Sequence, residues 1–155
     1  MVDIVDSETR SRMMAGIRGR NTKPEMLVRR QLHARGFRYR LHVRGLAGRP
    51  DIVLPRYGAV VFVNGCFWHA HKGCKLFKIP ATRTDFWREK LDANRWRDIG
   101  NLLKLQREGW RVATVWECAL RDESPAIEKL ADWLKSSDSV IEIPAPGRRR
   151  KGRAT

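Results

Sequence analysis

Only three of the 155 residues are cysteines, and no long apolar run is present. An odd cysteine count argues against a disulfide framework, and the acidic start lacks the basic-then-apolar pattern of a signal peptide. Together these features favour a reducing compartment. No apolar run approaches the ~20 residues that a helix needs to span a bilayer. We therefore expect a cytoplasmic protein with free thiols and no membrane contact.

Acidic residues are also scarce. Asp and Glu number 17 against 32 Lys and Arg, which gives a formal net charge of +15. Five of these charges belong to residues 148–153, so the rest of the chain carries +10. Such an excess attracts polyanions and predicts salt-dependent binding to the backbone of DNA or RNA. A basic protein from an arginine-rich proteome is the alternative that charge alone leaves open.

The chain is long enough for one hydrophobic core and short for two. We expect a mobile N-terminal arm with one short helix at 1–22, a folded domain at 23–140 and a disordered basic tail at 141–155. The glycine-weakened pattern of the arm and the run of arginines in the tail separate both from the domain.

The periodicity of apolar residues predicts the elements of this domain. A capping box with proline in the first turn predicts a helix at 23–34. The remaining predicted elements are a meander of strands at 37–43, 51–54 and 59–63, a long helix from about 82 to 109, a strand at 111–116 and a helix at 124–134. This order predicts an α/β fold, with a mixed sheet and helices packed on its faces.

All three cysteines and one histidine have spacings typical of a zinc site. Cys66, His71 and Cys74 lie within nine residues, and Cys118 follows the last predicted strand. Three sulfurs and one nitrogen suit a closed structural zinc site, with Zn–S bonds of ~2.3 Å. In the alternative, Cys118 is a small buried hydrophobe and the other two are incidental. His69 and His71 alternate, so an extended loop would turn one toward zinc and the other toward a substrate.

Two carboxylates are candidates for a second metal site. Asp51 opens an apolar strand after the Gly-Arg-Pro segment at 48–50, where a charge is costly unless it meets a cation or a hydrogen-bond donor. With a backbone carbonyl and a nearby histidine, it would hold Mg²⁺ on a phosphate and activate water. A turn aspartate at the strand entry is the alternative. Glu25 already has a structural role as the third-position glutamate of the capping box.

Three aromatic residues cluster near the metal ligands in sequence. Phe67 and Trp68 lie in a polar, glycine-flanked loop, and Trp87 opens a helix close behind. Rings on a cationic loop can wedge between base pairs at a cost of a few kcal/mol per unstacked step, which a mismatch reduces. Ordinary packing remains open for all three. Met14 in the arm is a candidate second wedge, although an exposed methionine needs no function.

Taken together, these residues resemble the very-short-patch-repair (Vsr) family of DNA mismatch endonucleases. The similarity covers about residues 7–135 and is carried by 9–11 with Met14 and Ile17, Glu25, 48–51, 65–69, 80–84 with Phe86 and Trp87, 109–112 and 115–120. It implies a restriction-endonuclease-like fold that lacks the usual acidic-x-lysine half of the active site. It also implies Mg²⁺-dependent nicking of one strand beside a T:G mismatch, leaving a 5′-phosphate and a 3′-hydroxyl.

The resemblance also implies a role for each candidate residue. Asp51 would bind the catalytic metal, the Val63 carbonyl would be a second magnesium ligand, and His69 would be the general base. Glu25 would be an accessory acid that orders water at the metal. The implied zinc ligands are Cys66, His71, Cys74 and Cys118. The implied DNA contacts are the wedge of Phe67, Trp68 and Trp87, Arg83 of the 80–84 motif, and Met14 from the other groove.

Two positions of the implied catalytic centre depart from some members of the family, which have threonine and histidine where this chain has Val63 and Asn64. A backbone ligand survives the first change. Asn64 is expected at the catalytic centre with an amide in place of an imidazolium.

The implied partner is double-stranded DNA with a T:G mismatch, bound by a monomer associated with the bacterial nucleoid. Mismatch-repair proteins and a cytosine methyltransferase are further candidate partners. Two other functions fit the same residues: a restriction- or defence-type endonuclease of other specificity, and a zinc-stabilised DNA-binding module in which Asp51 is structural. Mg²⁺-dependent nicking separates enzyme from binder, and mismatched duplexes separate the two enzymes.

Overall fold

The computed structural model of the protein describes residues 22–71, 73–74 and 77–144. The predicted short helix of the arm, Met14 and the tail after Pro144 lie outside the described residues. The elements are α1 (Lys23–Ala34), β1 (Ile52–Leu54), a 3₁₀ turn (Pro55–Tyr57), β2 (Ala59–Asn64), α2 (Thr84–Arg107), β3 (Arg111–Trp116), a 3₁₀ segment (Glu117–Asp122), α3 (Glu123–Lys135) and β4 (Val140–Ile143). None of the helices in these ranges combines the length and apolarity needed to cross a membrane.

The four strands form one mixed sheet in the order β1-β2-β3-β4. β1 and β2 are an antiparallel hairpin, whereas β3 runs parallel to β2 and β4 runs parallel to β3. Parallel neighbours need a crossover connection, and α2 and α3 supply one each. The predicted α/β fold with a mixed sheet flanked by helices is confirmed.

The helices cover both faces of the sheet. Leu32 of α1 and Ile127 of α3 pack with Val61 in the larger core. On the other face, Leu105 of α2 packs against Val60 in a smaller core. Successive strand residues point to opposite faces, so β2 is buried on both sides. Because the core under α2 is the smaller one, there is room for a cleft beside this helix.

The ends of the helices follow the signals in the sequence. The Thr22 N–H donates to Glu25 Oε2 at 2.9 Å and the Glu25 N–H donates to Thr22 Oγ1 at 3.4 Å, which completes the capping box of α1. α2 begins after Arg83, a non-glycine residue with φ +55°, and Gly109 at φ +93° follows its end. The predicted bounds of α1, α2 and α3 agree with the structure to within two residues.

One predicted strand is wrong and one strand was missed. At 37–43 only Arg40 pairs with Val53, as an isolated bridge, and His42 then adopts φ +57°, which ends the pairing. The alternation of apolar and basic residues there reflects a half-buried loop. β4 was not predicted, and three of its four residues lie in the tail that was expected to begin at 141. Its burial comes from parallel pairing with β3, a contact distant in sequence.

Candidate active site and metal centre

Asp51 and Glu25 meet at one end of the β1–β2 hairpin. The hairpin brings the residue before β1 next to the end of β2, and the Val63 N–H donates to Asp51 Oδ2 at 2.7 Å. Glu25, 4% exposed, reaches the same carboxylate from the first turn of α1. Burial, followed by the hydrogen bond with Glu25, raises the pKa of Asp51 to about 8. In the metal-free protein, Asp51 therefore holds its proton more tightly than an ordinary aspartate does.

The surroundings of this acid pair fit a cation. Arg29, which sequence reasoning missed, lies buried one turn along α1 with Nη2 3.8 Å from Glu25 Oε2. One guanidinium cannot balance two ionised carboxylates, so a divalent cation would stabilise the fully ionised pair. The N–H and C=O of a strand residue point to the same edge, so the Val63 carbonyl faces the Asp51 side. The donor set is the all-oxygen type that Mg²⁺ prefers.

His69 is held by a residue that the sequence did not single out. Its Nδ1 lies 2.5 Å from Oδ2 of Asp98, on α2. An ionised carboxylate only accepts, so Nδ1 carries the proton and Nε2 is left as the basic atom. The two side chains are 32% and 37% exposed, which keeps them within reach of water and substrate. The only sequence signal for Asp98 was a polar position on a helix rich in charge.

The acid pair and the His69–Asp98 pair line one cleft of about 920 Å³. Asn64, at the end of β2 and 8% exposed, also lines this cleft. The same residue lines a neighbouring cavity of about 330 Å³ beneath α2. The cationic residues that line the cleft are Lys23, Arg49, Arg97 and Arg121. Positive charge around an acidic centre suits a phosphodiester, whose oxygens need cationic partners while the carboxylates hold a metal.

The four predicted zinc ligands come together. The ligand atoms of Cys66, His71, Cys74 and Cys118 all lie within 4.8 Å of one another. A tetrahedron with Zn–S bonds of ~2.3 Å has edges of roughly 3.8 Å, so the cluster has the size of a zinc site. Burial raises the pKa of the Cys66 and Cys118 thiols, and burial lowers the pKa of His71, which keeps the imidazole neutral. A bound cation would displace the thiol protons.

Neighbours that were not predicted support this cluster. The His71 ring stacks on Trp116 with centroids 4.0 Å apart and an interplanar angle of 5°. The Trp116 Nε1–H donates to Glu142 Oε2 at 2.8 Å, and the Cys66 N–H donates to Glu117 Oε1 at 3.2 Å. The cluster thus ties the 65–74 loop to β3, to the segment after β3 and to β4.

The loop is folded into turns and is not extended as predicted. The His69 N–H donates to the Gly65 carbonyl at 3.2 Å and the His71 N–H donates to the Cys66 carbonyl at 2.9 Å. Ala70, between the two histidines, has φ +50°, a left-handed conformation that is unfavourable for a residue with a Cβ. His69 faces the cleft and His71 faces the cysteines, as expected. A compact turn, and not the alternation of an extended strand, points the two side chains in different directions.

The three predicted wedge rings contact one another. The centroids of Phe67 and Trp68 are 5.1 Å apart, those of Phe67 and Trp87 are 5.6 Å apart, and those of Trp68 and Trp87 are 6.0 Å apart. All three are half-buried, and Phe67 and Trp68 also line the cleft. The Arg83 guanidinium lies 4.3 Å from the centroid of the exposed Phe86 ring. The arrangement provides an aromatic surface beside the acidic centre.

Comparisons with known proteins agree with this geometry. Residues 2–76 match the family model described as DNA mismatch endonuclease Vsr. The chain is 41% identical over 152 residues to the DNA mismatch endonuclease Vsr of Escherichia coli K12, covering 95% of this chain and 97% of that protein. It is 48% identical over 137 residues to the type II nicking enzyme V.XorIIP of Xanthomonas oryzae, covering 88% and 100%. A third relative, the type II nicking enzyme V.NmeAIP of Neisseria meningitidis, is 45% identical over 130 residues, covering 84% and 92%.

Proposed function

The chain belongs to the Vsr family of DNA mismatch endonucleases, and from that membership we propose that it nicks one strand of duplex DNA beside a T:G mismatch by Mg²⁺-dependent hydrolysis. Membership of the family makes the chain an endonuclease that acts on DNA. Its specificity for a T:G mismatch and its dependence on Mg²⁺ are our proposal. One observation supports both: the Asp51–Glu25 pair and the His69–Asp98 pair line one cationic cleft with an aromatic surface at its edge.

In the proposed reaction, Asp51 and the Val63 carbonyl would hold Mg²⁺, with Glu25 beside them. When bound, the ion supplies positive charge to the phosphate and lowers the pKa of water. His69 Nε2 accepts the proton of the attacking water, and Asp98 holds the imidazole in the orientation and tautomer that this needs. The water oxygen forms the new bond to phosphorus as the bond from phosphorus to the 3′ oxygen breaks. The phosphate stays on the 5′ oxygen of the downstream nucleotide, and the 3′ oxygen takes a proton from solvent and leaves as a hydroxyl.

We further propose zinc at the four-residue cluster, where it would be structural because four protein ligands close the coordination shell. Phe67, Trp68 and Trp87 would enter the base stack at the mismatch, with Arg83 on the backbone beside them. Met14 would act from the other groove. The +15 charge supports binding to DNA. The monomeric state and contacts with mismatch-repair proteins or a cytosine methyltransferase stay predictions.

A nicking endonuclease of different specificity is a second candidate, because two of the three relatives described above are named type II nicking enzymes. Its cleft chemistry would be the same. The difference would lie in which base pairs the aromatic surface and the arm accept.

The test compares three duplexes that differ at one base pair: T:G, C:G and T:A. Single-turnover nicking is measured with Mg²⁺ and without it, with Asp51→Asn as the inactive control. We expect the T:G duplex to be nicked at least about 10²-fold faster than the two paired duplexes. The reason is that unstacking a Watson–Crick pair costs a few kcal/mol more than unstacking a mismatch. Equal nicking of all three would favour the second candidate, and no Mg²⁺-dependent nicking of any DNA would contradict both.

A further inference from the structure

Two consecutive residues of the loop are held by one face of α2. The Asn94 Nδ2–H donates to the Trp68 carbonyl oxygen at 3.0 Å, and Asp98 Oδ2 accepts from His69 Nδ1 at 2.5 Å. Asn94 and Asp98 are four residues apart and therefore neighbours on the helix surface. The candidate wedge and the candidate base thus share one support.

That support is firm. α2 is 24 residues long and is fixed by Leu91 and Leu105, which are 1% and 0% exposed. The Asn94 amide is itself oriented, because its Oδ1 accepts from Arg97 Nη1 at 3.2 Å and so turns the NH₂ group toward Trp68.

On the loop side, backbone hydrogen bonds join residues 65 to 71 into one compact turn. Trp68 and His69 share a peptide bond within it, so a shift of the Trp68 backbone displaces the His69 ring as well. A displacement of about 1 Å can cost roughly 10²-fold in rate, because the base no longer meets the water in line.

We propose that Asn94 is a positioning residue that couples the seating of the Trp68 ring in the DNA to the placement of His69 against its substrate. The inference rests on the proposed function, whose wedge and base it connects. When the ring is seated, the Asn94 bond to the Trp68 carbonyl and the Asp98 bond to His69 both stay as the structure shows them. When a stable base pair keeps the ring out, the turn shifts and both bonds lengthen. Mismatch selectivity then appears in the cleavage step and not only in binding.

The experiment uses the zinc-containing full-length protein with Asn94→Ala and with Asn94→Asp, which keeps the side-chain shape but loses the donor. Asp92→Ala, an exposed position of the same helix outside the cleft, is the matched control. Single-turnover nicking and the affinity for a 2-aminopurine-labelled duplex are measured on the duplex that the wild type cuts fastest.

Both Asn94 variants should lose roughly 10–100-fold in cleavage rate while their Kd changes by less than about threefold, the signature of misplacement without loss of binding. Asp92→Ala should stay within about twofold of the wild type. In a double-mutant cycle, Asn94→Ala combined with Trp68→Ala should be no slower than the slower single variant, because both break one linkage.

The inference would be overturned if the rate losses of Asn94→Ala and Trp68→Ala multiply in the double variant. It would also be overturned if Asn94→Asp cleaves at the wild-type rate. The proposed function fails separately, if the wild type nicks paired and T:G duplexes equally. In that case the double-mutant cycle is still measured on the duplex that the wild type cuts fastest. Rate losses that do not multiply support the coupling of Trp68 to His69, and rate losses that multiply contradict it.

Discussion

Asp51, the proposed metal ligand, is a candidate catalytic residue whose burial lowers the stability of the fold at high pH. Its pKa is raised to about 8, first by burial, so the protonated form is the one that the metal-free fold favours. That stabilising contribution is fully present below the unfolded pKa of 3.8 and is lost as the pH rises through about 8. At high pH the fold holds two buried carboxylates that the single Arg29 guanidinium does not balance.

The Asp51→Asn variant should therefore lose Mg²⁺-dependent nicking and gain stability. The amide removes a metal ligand and also the buried charge, so the free energy of unfolding in Mg²⁺-free buffer should rise by roughly 1–4 kcal/mol at pH 9. Below about pH 4 the gain should vanish, because the carboxyl is then protonated in both states. Urea unfolding at several pH values measures this. A gain that does not depend on pH would contradict the explanation, and retained nicking would place the metal site elsewhere.

Asp98 is the second residue with a testable role. Asp98→Asn keeps the shape but no longer fixes Nδ1 as the protonated nitrogen of His69, so the nicking rate should fall by about 10²–10⁴-fold at unchanged DNA affinity. His69→Ala should lose a similar factor and recover partly at high pH, where hydroxide replaces the base. Single-turnover rates of both variants and of the double variant measure this. A double variant much slower than His69→Ala would show that Asp98 acts independently of His69.

Among the elements, the 65–74 loop carries three of the proposed zinc ligands, two of the three proposed wedge rings and the proposed base. Removing one ligand should therefore affect stability and catalysis at once. Cys118→Ser, outside the loop, should lower the zinc content from one equivalent per chain, lower the melting temperature and slow nicking. Metal analysis, thermal unfolding and nicking rates measure the three effects. Wild-type protein that purifies without zinc would contradict the assignment of the cluster.

The end of α3 depends on one arginine of β3. The Arg111 guanidinium donates five hydrogen bonds to backbone carbonyls, 2.6–3.2 Å long, and also packs 4.4 Å from the Trp133 ring centroid. The acceptors belong to Tyr57, Trp133, Leu134, Ser136 and Asp138. Two of these acceptors, the carbonyls of Trp133 and Leu134, lie in the last turn of α3, where carbonyls have no donor one turn further along the helix. The other bonds tie the segment after α3 and the 3₁₀ turn to β3.

Arg111→Lys should therefore destabilise the fold by roughly 2–4 kcal/mol, because an ammonium offers three donors without the planar fork. Arg107→Lys is the control, since its single bond to the Leu103 carbonyl is 3.5 Å long and exposed. Midpoints of urea unfolding compare the two. Equal midpoints would mean that the α3 end is held by packing alone.

At the scale of the whole molecule, charge and shape should make separable contributions. The +15 charge predicts that affinity for paired DNA falls by about 10³–10⁵-fold between 50 and 200 mM salt, if roughly 6–10 phosphates are contacted. Trp68→Ala should keep this salt dependence and lose mismatch discrimination, because the ring reads the weakened stack and not the backbone. Salt titrations and the ratio of nicking rates on T:G and paired duplexes measure this. An unchanged ratio would make Trp68 a packing residue.

Most of the fold could be predicted because its elements carry local signals. The capping box at Thr22 and Glu25, the apolar run of β2 and the long pattern of α2 depend on neighbours in sequence. The two errors concern segments whose state is decided elsewhere. The run at 37–43 alternates like a strand but has only one bridge, and β4 forms because β3 offers it a parallel edge.

The sequence by itself determined which residue types were available: three cysteines with a histidine, one aspartate before a strand, and aromatic residues in a basic loop. Only the tertiary structure decided which of these act together. Asp98, Asn94 and Arg29 lie on helices and gave no motif, yet each contacts a predicted site residue across the fold. The physical reason is that ligand spacing is a local property of the chain, whereas the partners that orient a base or balance a buried carboxylate are fixed by the packing of α1 and α2 on the sheet.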